Sequence, residues 1–427
     1  MDRISSSSIG HRAQRLAVDD PGPAHAGPDT GCTAAARRRP YGALHDLREG
    51  NLQKVLDVII SRDGVRQADI ARATQLSPAT VSNLVVDLRR RGLVWSDSNH
   101  GLLKAAAAQP GVLIGVDYGL RCVRVGIADS VGRLLAESTL PVPVNMQLQA
   151  NLVEVRGMVS RLLARNHIEM TDVLQVGISL AAPIYQPSGR ERWRTPTHSL
   201  QEWDLLQTPG KMFGLPVVVD RDYHLGALGE LRCGAGRGCT DIVYLHADSR
   251  ICVGLVLGGR LHRGAAGTAG EIGHTMVDPH GQLCSCGKRG CLDTVVGATG
   301  FLELLRGMYG EDLLVADVVD LAKRGDTRCR RALTNAGRAL GILVADLCNL
   351  LSPQKVIVAG PIFGAGDTIL QPLRETVEER AIPDAAQAAE VVPSALDGGA
   401  EMLGAVCLAL DAVRARGPSS AFHAGHR

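Results

Sequence analysis

Aromatic residues are scarce in this 427-residue chain: 4 Phe, 6 Tyr and 3 Trp make up 3% of it. Its core must therefore be built from Val, Leu, Ile and Ala rather than from rings. No apolar run reaches the roughly 18 residues that a membrane-spanning helix needs. The opening MDRISSSSIGHRAQRLAVDD also lacks the uninterrupted apolar segment of a secretion signal. Both absences point to a soluble, cytoplasmic protein with no membrane partner. A cytoplasmic chain of this size keeps its 11 cysteines reduced. Most of them, such as Cys122, Cys252, Cys348 and Cys407, stand singly in apolar surroundings and read as small core residues. Cys233 and Cys239 form a loose pair, and only Cys284, Cys286 and Cys291 cluster tightly.

A dominant charge sign is missing too, since the net charge is +2. It is unevenly spread: residues 1–110 hold 15 Lys/Arg against 11 Asp/Glu, and the remainder 31 against 33. A mildly basic N-terminal part on a near-neutral body permits nucleic-acid binding. The length allows two or three domains.

Residues 1–42 are rich in Ser, Gly, Pro and Ala, carry Arg37-Arg38-Arg39 and show no sustained period, the composition of a flexible arm. From there NLQKVLDVII sets Leu52, Val55, Leu56 and Ile59 on one helical face. RQADIARAT gives a second short helix with a small Ala71 at the crossing, and QLS a tight turn. PATVSNLVVDLRRRG gives a third helix, capped by Ser77, with Pro78 at its first position and Gly92 as its stop. Val81, Leu84, Val85 and Leu88 form its inward stripe, and Thr80, Ser82, Asn83 and Asp87 are expected outward with Arg89, Arg90 and Arg91. This is a helix-turn-helix. Short polar side chains near the helix start (Ser77, Thr80, Ser82, Asn83) suit base edges, and Arg89 and Arg90 suit phosphates. LVWS and GLLKA can pair as a wing, so residues 43–105 read as a winged helix-turn-helix DNA-binding domain, all-α or α+β.

Beyond the linker AAAAQPG the pattern becomes α/β. GVLIGVDYG, RCVRVGIADS and GRLLAESTL are three consecutive strands, VLQVGISL and LPVVVD two more. A second series runs through DIVYLHA, CVGLVLGGRLHRG, a long helix and KVIVAG. An apolar strand turning at an aspartate, twice over, suggests two lobes facing a cleft. Residues 413–427 are expected to be a loose tail.

Within the second lobe stands CSCGKRGC, preceded by GEIGH. Zinc takes four N/S ligands in a tetrahedron, and Cys284, Cys286 and Cys291 with His274 supply them at a compact spacing. Gly287 and Gly290 permit the tight backbone of such a knuckle. Four protein ligands leave no open position for water, so the expected Zn2+ is structural.

GAAGTAGEIGH followed by CSCGKRGC resembles the signature of the ROK family of sugar-responsive repressors and sugar kinases. VVVDRDYHLGALGE resembles that family's sugar loop, and GVDYGLRCVRVGIADSVGRLL its first phosphate-loop strand pair. The likeness runs from about residue 43 to 412. It implies a two-lobed actin-like, sugar-kinase fold over residues 112–412, with the DNA-binding head of the family's regulators in front. It also implies that Asp222 binds a sugar hydroxyl, that Glu271 accepts from ring hydroxyls, and that His274 serves both zinc and sugar. An imidazole has two nitrogens for two such tasks.

Three departures mark the implied pocket. Arg221 stands where the family has Asn, His224 replaces a second Asn, and Asp293 stands for a Glu one methylene longer. Arg221 either favours an acidic or phosphorylated sugar or closes the pocket by pairing with Asp222. The phosphate loops depart further. In place of the family kinases' Asp-x-Gly-Gly-Thr the chain has Asp117-Tyr118-Gly119-Leu120-Arg121. In place of Gly-Thr-Gly-Ile-Gly it has Asp248-Ser249-Arg250-Ile251-Cys252. Bulky side chains fill space that phosphates need, and Asp248 repels a triphosphate.

The expectation is a non-enzymatic transcriptional regulator, a repressor of carbohydrate genes. It would bind operator DNA as a homodimer or higher homo-oligomer and answer to a sugar or sugar derivative held by Arg221, Asp222, Glu271, His274 and Asp293. The competing readings are a sugar kinase with a DNA-binding head and a regulator whose sugar lobe is a ligand-blind dimerisation scaffold.

Overall fold

The computed structural model describes residues 41–62, 64–90, 94–96, 101–105, 111–119, 122–141, 148–181, 210, 213–396 and 398–416. The expected arm before residue 41, the linker at 106–110 and Gly92 lie outside them. All described residues from Arg48 onward pack into one unit.

Three helices open the described part of the chain, α1 (Tyr41–Ile60), α2 (Gln67–Thr74) and α3 (Pro78–Arg90). Leu52, Val55, Leu56 and Ile59 of α1 meet Ile70 of α2 and Val81, Leu84, Val85 and Leu88 of α3, all buried. Each is worth about 1.5 to 3 kcal/mol of burial, so these aliphatic side chains supply much of what holds the head together. Thr80 N–H donates to Ser77 Oγ at 3.1 Å, the expected cap. Strands β1 (Val94–Ser96) and β2 (Leu103–Ala105) pair antiparallel, and Val65 exchanges backbone hydrogen bonds with Leu103. The wing is real, and the head is α+β.

Two five-stranded sheets follow. The first holds β3 (Val112–Tyr118), β4 (Cys122–Asp129), β5 (Leu134–Pro141), β6 (Val173–Leu180) and β7 (Val217–Arg221), in the order β5-β4-β3-β6-β7. The second holds β8 (Ile242–Ala247), β9 (Ile251–Leu257), β10 (Arg260–His262), β11 (Lys355–Ala359) and β12 (Glu390–Pro393), in the order β10-β9-β8-β11-β12. In both, two antiparallel pairings give way to two parallel ones. The lobes therefore repeat one topology. Buried along nearly their whole length, β3 and β9 read as near-continuous apolar runs.

Helix α4 (Leu148–Arg165) covers the first sheet through Val155, Met158, Val159, Leu162 and Leu163. Helix α5 (Asp222–Cys233) starts directly from β7. The helices α6 (Ala298–Tyr309), α7 (Val315–Lys323), α8 (Thr327–Leu351), α9 (Asp367–Arg380) and α10 (Pro383–Ala388) build the larger core of the second lobe. The last helix, α11 (Ala400–Arg416), packs on both β3 and β6 of the first sheet and on α5. Glycines make that contact close: a Cβ on Gly177 of β6 would stand 2.0 Å from Ala405 O, and one on Gly404 1.8 Å from Leu225 O.

Helix α11 corrects the expected tail. Residues 413–416 are helical, and Val413 packs with the core around Met402, Val406 and Leu410. The short, charged end RAR hid that continuation from composition alone. Cys252, Cys348 and Cys407 are buried as expected, whereas Cys122 is half-buried at the start of β4.

Candidate metal and sugar cleft

After β10 the chain forms a 3₁₀ turn, Ile272–His274, then a loop, then a second 3₁₀ turn, Leu292–Thr294. Isolated bridges, Met276 with Cys291 and Leu283 with Arg289, fold the loop into a knuckle. Gly290 has φ 62°, and a Cβ there would overlap the Asp278 carbonyl oxygen at 1.4 Å. The result brings one donor atom each from His274, Cys284, Cys286 and Cys291 within 4.8 Å of one another. His274 Nδ1 lies 3.6 Å from Cys284 Sγ, and Cys286 Sγ lies 3.6 Å from Cys291 Sγ. A zinc tetrahedron with bonds of about 2.3 Å to sulfur and about 2.0 Å to nitrogen has edges of roughly 3.5 to 3.8 Å. The cluster can therefore hold a metal ion, and three thiols with one imidazole suit a soft, tetrahedral one. Among the described residues no other group of His, Cys, Asp and Glu side chains is arranged this way.

Beside the knuckle lie the residues expected to face a sugar. Asp222 is the first residue of α5, where it accepts from the Tyr223 backbone N–H at 2.8 Å. Burial raises its pKa, against the lowering pull of His246 and Arg250. Glu271 opens the 3₁₀ turn that carries His274. Asp293 accepts from the Ile251 backbone N–H at 2.8 Å, and its other oxygen is 3.8 Å from His274 Nδ1. Asp293 thus ties the knuckle to the start of β9, and a Cβ on Gly273 would strike it at 2.1 Å. The shorter side chain fits that space.

Arg221 and His224 differ from expectation. Arg221 is 1% exposed and donates from Nη1 to Glu271 Oε1 and to the Tyr223 hydroxyl. Its salt-bridge partner is Glu271, not Asp222. β7 aims the Arg221 guanidinium at the turn across the cleft, while Asp222 has already entered the helix. Neither the pairing with Asp222 nor a guanidinium open to an acidic sugar describes it. His224 is buried as well: Nδ1 is 2.9 Å from Asp220 Oδ1, and Nε2 is 3.2 Å from the Ala269 carbonyl oxygen. Arg263 completes this group, donating from Nε to Asp220 Oδ2 at 2.7 Å. Burial works against the Asp220 carboxylate, but His224 and Arg263 hold its pKa below the usual range. His224 therefore fastens the junction of β7 and α5 to the segment before Glu271.

Near Asp222 lies a buried polar cluster of which the sequence flagged only Asp117. Ser179 on β6 donates to Asp117 on β3 at 2.8 Å. Glu401 on α11 accepts from the Tyr244 hydroxyl at 2.6 Å and lies 3.2 Å from His246 Nδ1. Burial, then the charge of Glu401, pushes Asp117 up to about 8. Burial opposes a charged imidazole at His246, yet the Glu401 carboxylate holds it up at about 9. The available signals were slight: a lone Glu in the apolar run GAEMLGA and a His closing the strand IVYLHA.

The same region carries the two loops compared above with phosphate loops. Asp248 N–H donates to the Arg250 carbonyl oxygen at 3.2 Å in the β8–β9 turn. Arg250 Nη1 reaches to 4.0 Å from Glu271 Oε2. Asp117 is 6% exposed and faces Ser179. Leu120 and Arg121 lie outside the described residues.

On the head, Ser77, Ser82, Asn83 and Arg89 are exposed and Thr80 is half-exposed. Arg89 also donates to Ser96 Oγ on β1. Asp87, expected outward, is buried at 9% exposure, which narrows the outward face. The side chain of Arg90 and residue 91 lie outside what is described.

Over residues 113–412 the sequence matches the family model described as ROK family. The chain belongs to the ROK family. Residues 54–100, which hold the end of α1, α2, α3 and β1, match the MarR family model. Among curated relatives, the xylose repressor of Caldicellulosiruptor bescii is 26% identical over 384 residues, covering 85% of this chain and 96% of the relative. The glucokinase of Halalkalibacterium halodurans is 28% identical over 308 residues, covering 68% and 92%. The crystal structure of a ROK family transcriptional regulator, described as a homologue of the Escherichia coli MLC protein, superposes with a TM-score of 0.69 at 22% identity, covering 86% of this chain and 97% of that one. This ROK chain thus spans 96% of the repressor and 97% of the solved regulator, whereas the glucokinase matches 68% of it. Among the described residues no helix is long and apolar enough to cross a membrane.

Proposed function

We infer that this ROK chain is a cytoplasmic DNA-binding transcriptional regulator, a repressor of carbohydrate genes, whose operator affinity answers to a sugar or sugar derivative in the cleft. The observation that carries the reading is the joining of a winged helix-turn-helix, with Ser77, Ser82, Asn83 and Arg89 outward, to a ROK body. As a homodimer or higher homo-oligomer, the protein sets recognition helices in successive major grooves of a near-palindromic operator.

In the cleft, Asp222 and Glu271 receive sugar hydroxyls, with His274 beside them through the ring nitrogen that the metal does not use. Arg221 holds Glu271 and shapes the pocket rather than meeting the ligand first. A structural zinc on His274, Cys284, Cys286 and Cys291 would pin the turn that carries Glu271; when bound it supplies a fixed cross-link and no open coordination position. Phosphoryl transfer is not part of this reading, because Arg250 and Asp248 stand where family kinases have small residues that let phosphates approach backbone N–H groups. Sugar changes DNA affinity only if it binds the two lobe arrangements with different strength.

The test is the thermal stability of the zinc-loaded protein against sugars, sugar acids and sugar phosphates. A ligand that binds only the folded state raises the melting temperature with its concentration. A shift abolished by Asp222→Ala, together with altered operator binding, supports the reading. Absence of any shift across the panel favours the ligand-blind scaffold, and ATP-dependent phosphorylation of a sugar would make the chain a kinase.

A further inference from the structure

A basic concavity lies between the DNA-binding head and the body. A cavity of about 940 Å³ opens among α1, the end of α2, α5, the β10 turn and the end of α11. That is within the range of small-molecule sites. Its walls carry Lys54, Arg232, Arg237, Arg260, Arg263 and Arg414, against the carboxylates of Asp57 and Asp411.

Three of these cations are engaged, Arg260 among them. Arg232 makes a bidentate pair with Asp411, Nη1 to Oδ1 at 2.8 Å and Nη2 to Oδ2 at 2.9 Å. Arg263 is held by Asp220. Arg414 is different: its Nη1 is buried with no hydrogen-bond partner. A buried guanidinium donor left unmet is costly, and such groups usually await an anion or water. Burial draws the Arg414 pKa down, against the opposing pull of the Asp57 and Asp411 carboxylates. Lys54 from the head and the exposed Arg237 from the body both line the cavity.

We propose that this cavity binds a small, multiply charged phosphate-bearing anion, which bridges the head and the body. Guanidinium forks from two elements match phosphate oxygens, and Lys54 adds a point charge from the head. Because α1 supplies one wall and α5, which begins at Asp222, another, an occupant touches both the head and the helix that starts at the cleft. The site needs no sugar in the cleft, so its failure and that of the sugar reading are separable.

The experiment is calorimetric titration of the full-length, zinc-loaded protein with inorganic pyrophosphate, against sodium chloride at equal ionic strength. One binding event per chain is expected. The double variant Lys54→Ala, Arg237→Ala changes only partly or fully exposed side chains and should keep its melting temperature. It should weaken binding by about tenfold or more, the loss of charge-assisted contacts. Asp222→Ala should leave binding unchanged. No heat at millimolar pyrophosphate, or equal affinity in the double variant, overturns the proposal.

Discussion

Arg221, the last residue of β7, donates to the carboxylate of Glu271 in the turn on the far side of the cleft. In the family pattern that carboxylate is expected to meet sugar hydroxyls, so here it meets a ligand already engaged. Substituting Arg221→Asn, the residue usual in the family, removes the buried partner. Breaking a buried pair costs about 3 to 5 kcal/mol. The low end is expected, because Glu271 is 21% exposed and can turn to water. The urea midpoint measures it, and an unchanged midpoint would mean that the pair is not formed.

Cys286 is exposed, so Cys286→Ser costs no packing, and any effect reports on the metal. Metal analysis should find one zinc per chain in the parent and none in the variant. The melting temperature should fall, because structural zinc contributes folding free energy directly. Stoichiometric zinc in the variant would sink the ligand set.

The His246–Glu401 pair gives a pH dependence. His246 is raised from 6.5 to about 9, so its contribution is complete below 6.5 and lost as pH rises through 9. Glu401 is lowered from 4.5, so its contribution is present above 4.5 and lost in stronger acid. Asp117, raised to about 8, opposes folding increasingly as pH climbs from 3.8 to 8. The thermal midpoint of the zinc-saturated protein should therefore fall from pH 6.5 to 9. His246→Gln should flatten the part of that limb that Asp117 does not supply. A midpoint that rose across this interval would refute the assignment.

On the head, Asn83→Ala and Arg89→Ala should each weaken operator binding while the fold persists, since both side chains are exposed. A base contact is worth about 1 to 3 kcal/mol, so Asn83→Ala should lose about 5- to 150-fold on the specific site. Arg89→Ala should weaken binding to all sequences and reduce the salt dependence. Since Arg89 also holds Ser96, the wing should loosen with it. Specific binding that survived both changes would mean that another face meets DNA.

The sequence alone determined what is local. A helix stripe such as Val81, Leu84, Val85 and Leu88, a cap such as Ser77, and a knuckle whose ligands lie within 18 residues are written in short-range spacing, because helix pitch and loop closure act over a few residues. The wing was legible in part, and the two lobes were legible as apolar strands ending at aspartates. Tertiary structure decided the rest. Whether Arg221 meets Asp222, its neighbour, or Glu271, fifty residues on, depends on where β7 aims a long side chain across a cleft. That Glu401 meets His246, or that Arg414 and Lys54 line one cavity, depends on α11 crossing from one lobe to the other on a path cleared by Gly177 and Gly404. Buried charges are matched by distant partners, and no spacing along the chain records which partner folding will bring within reach.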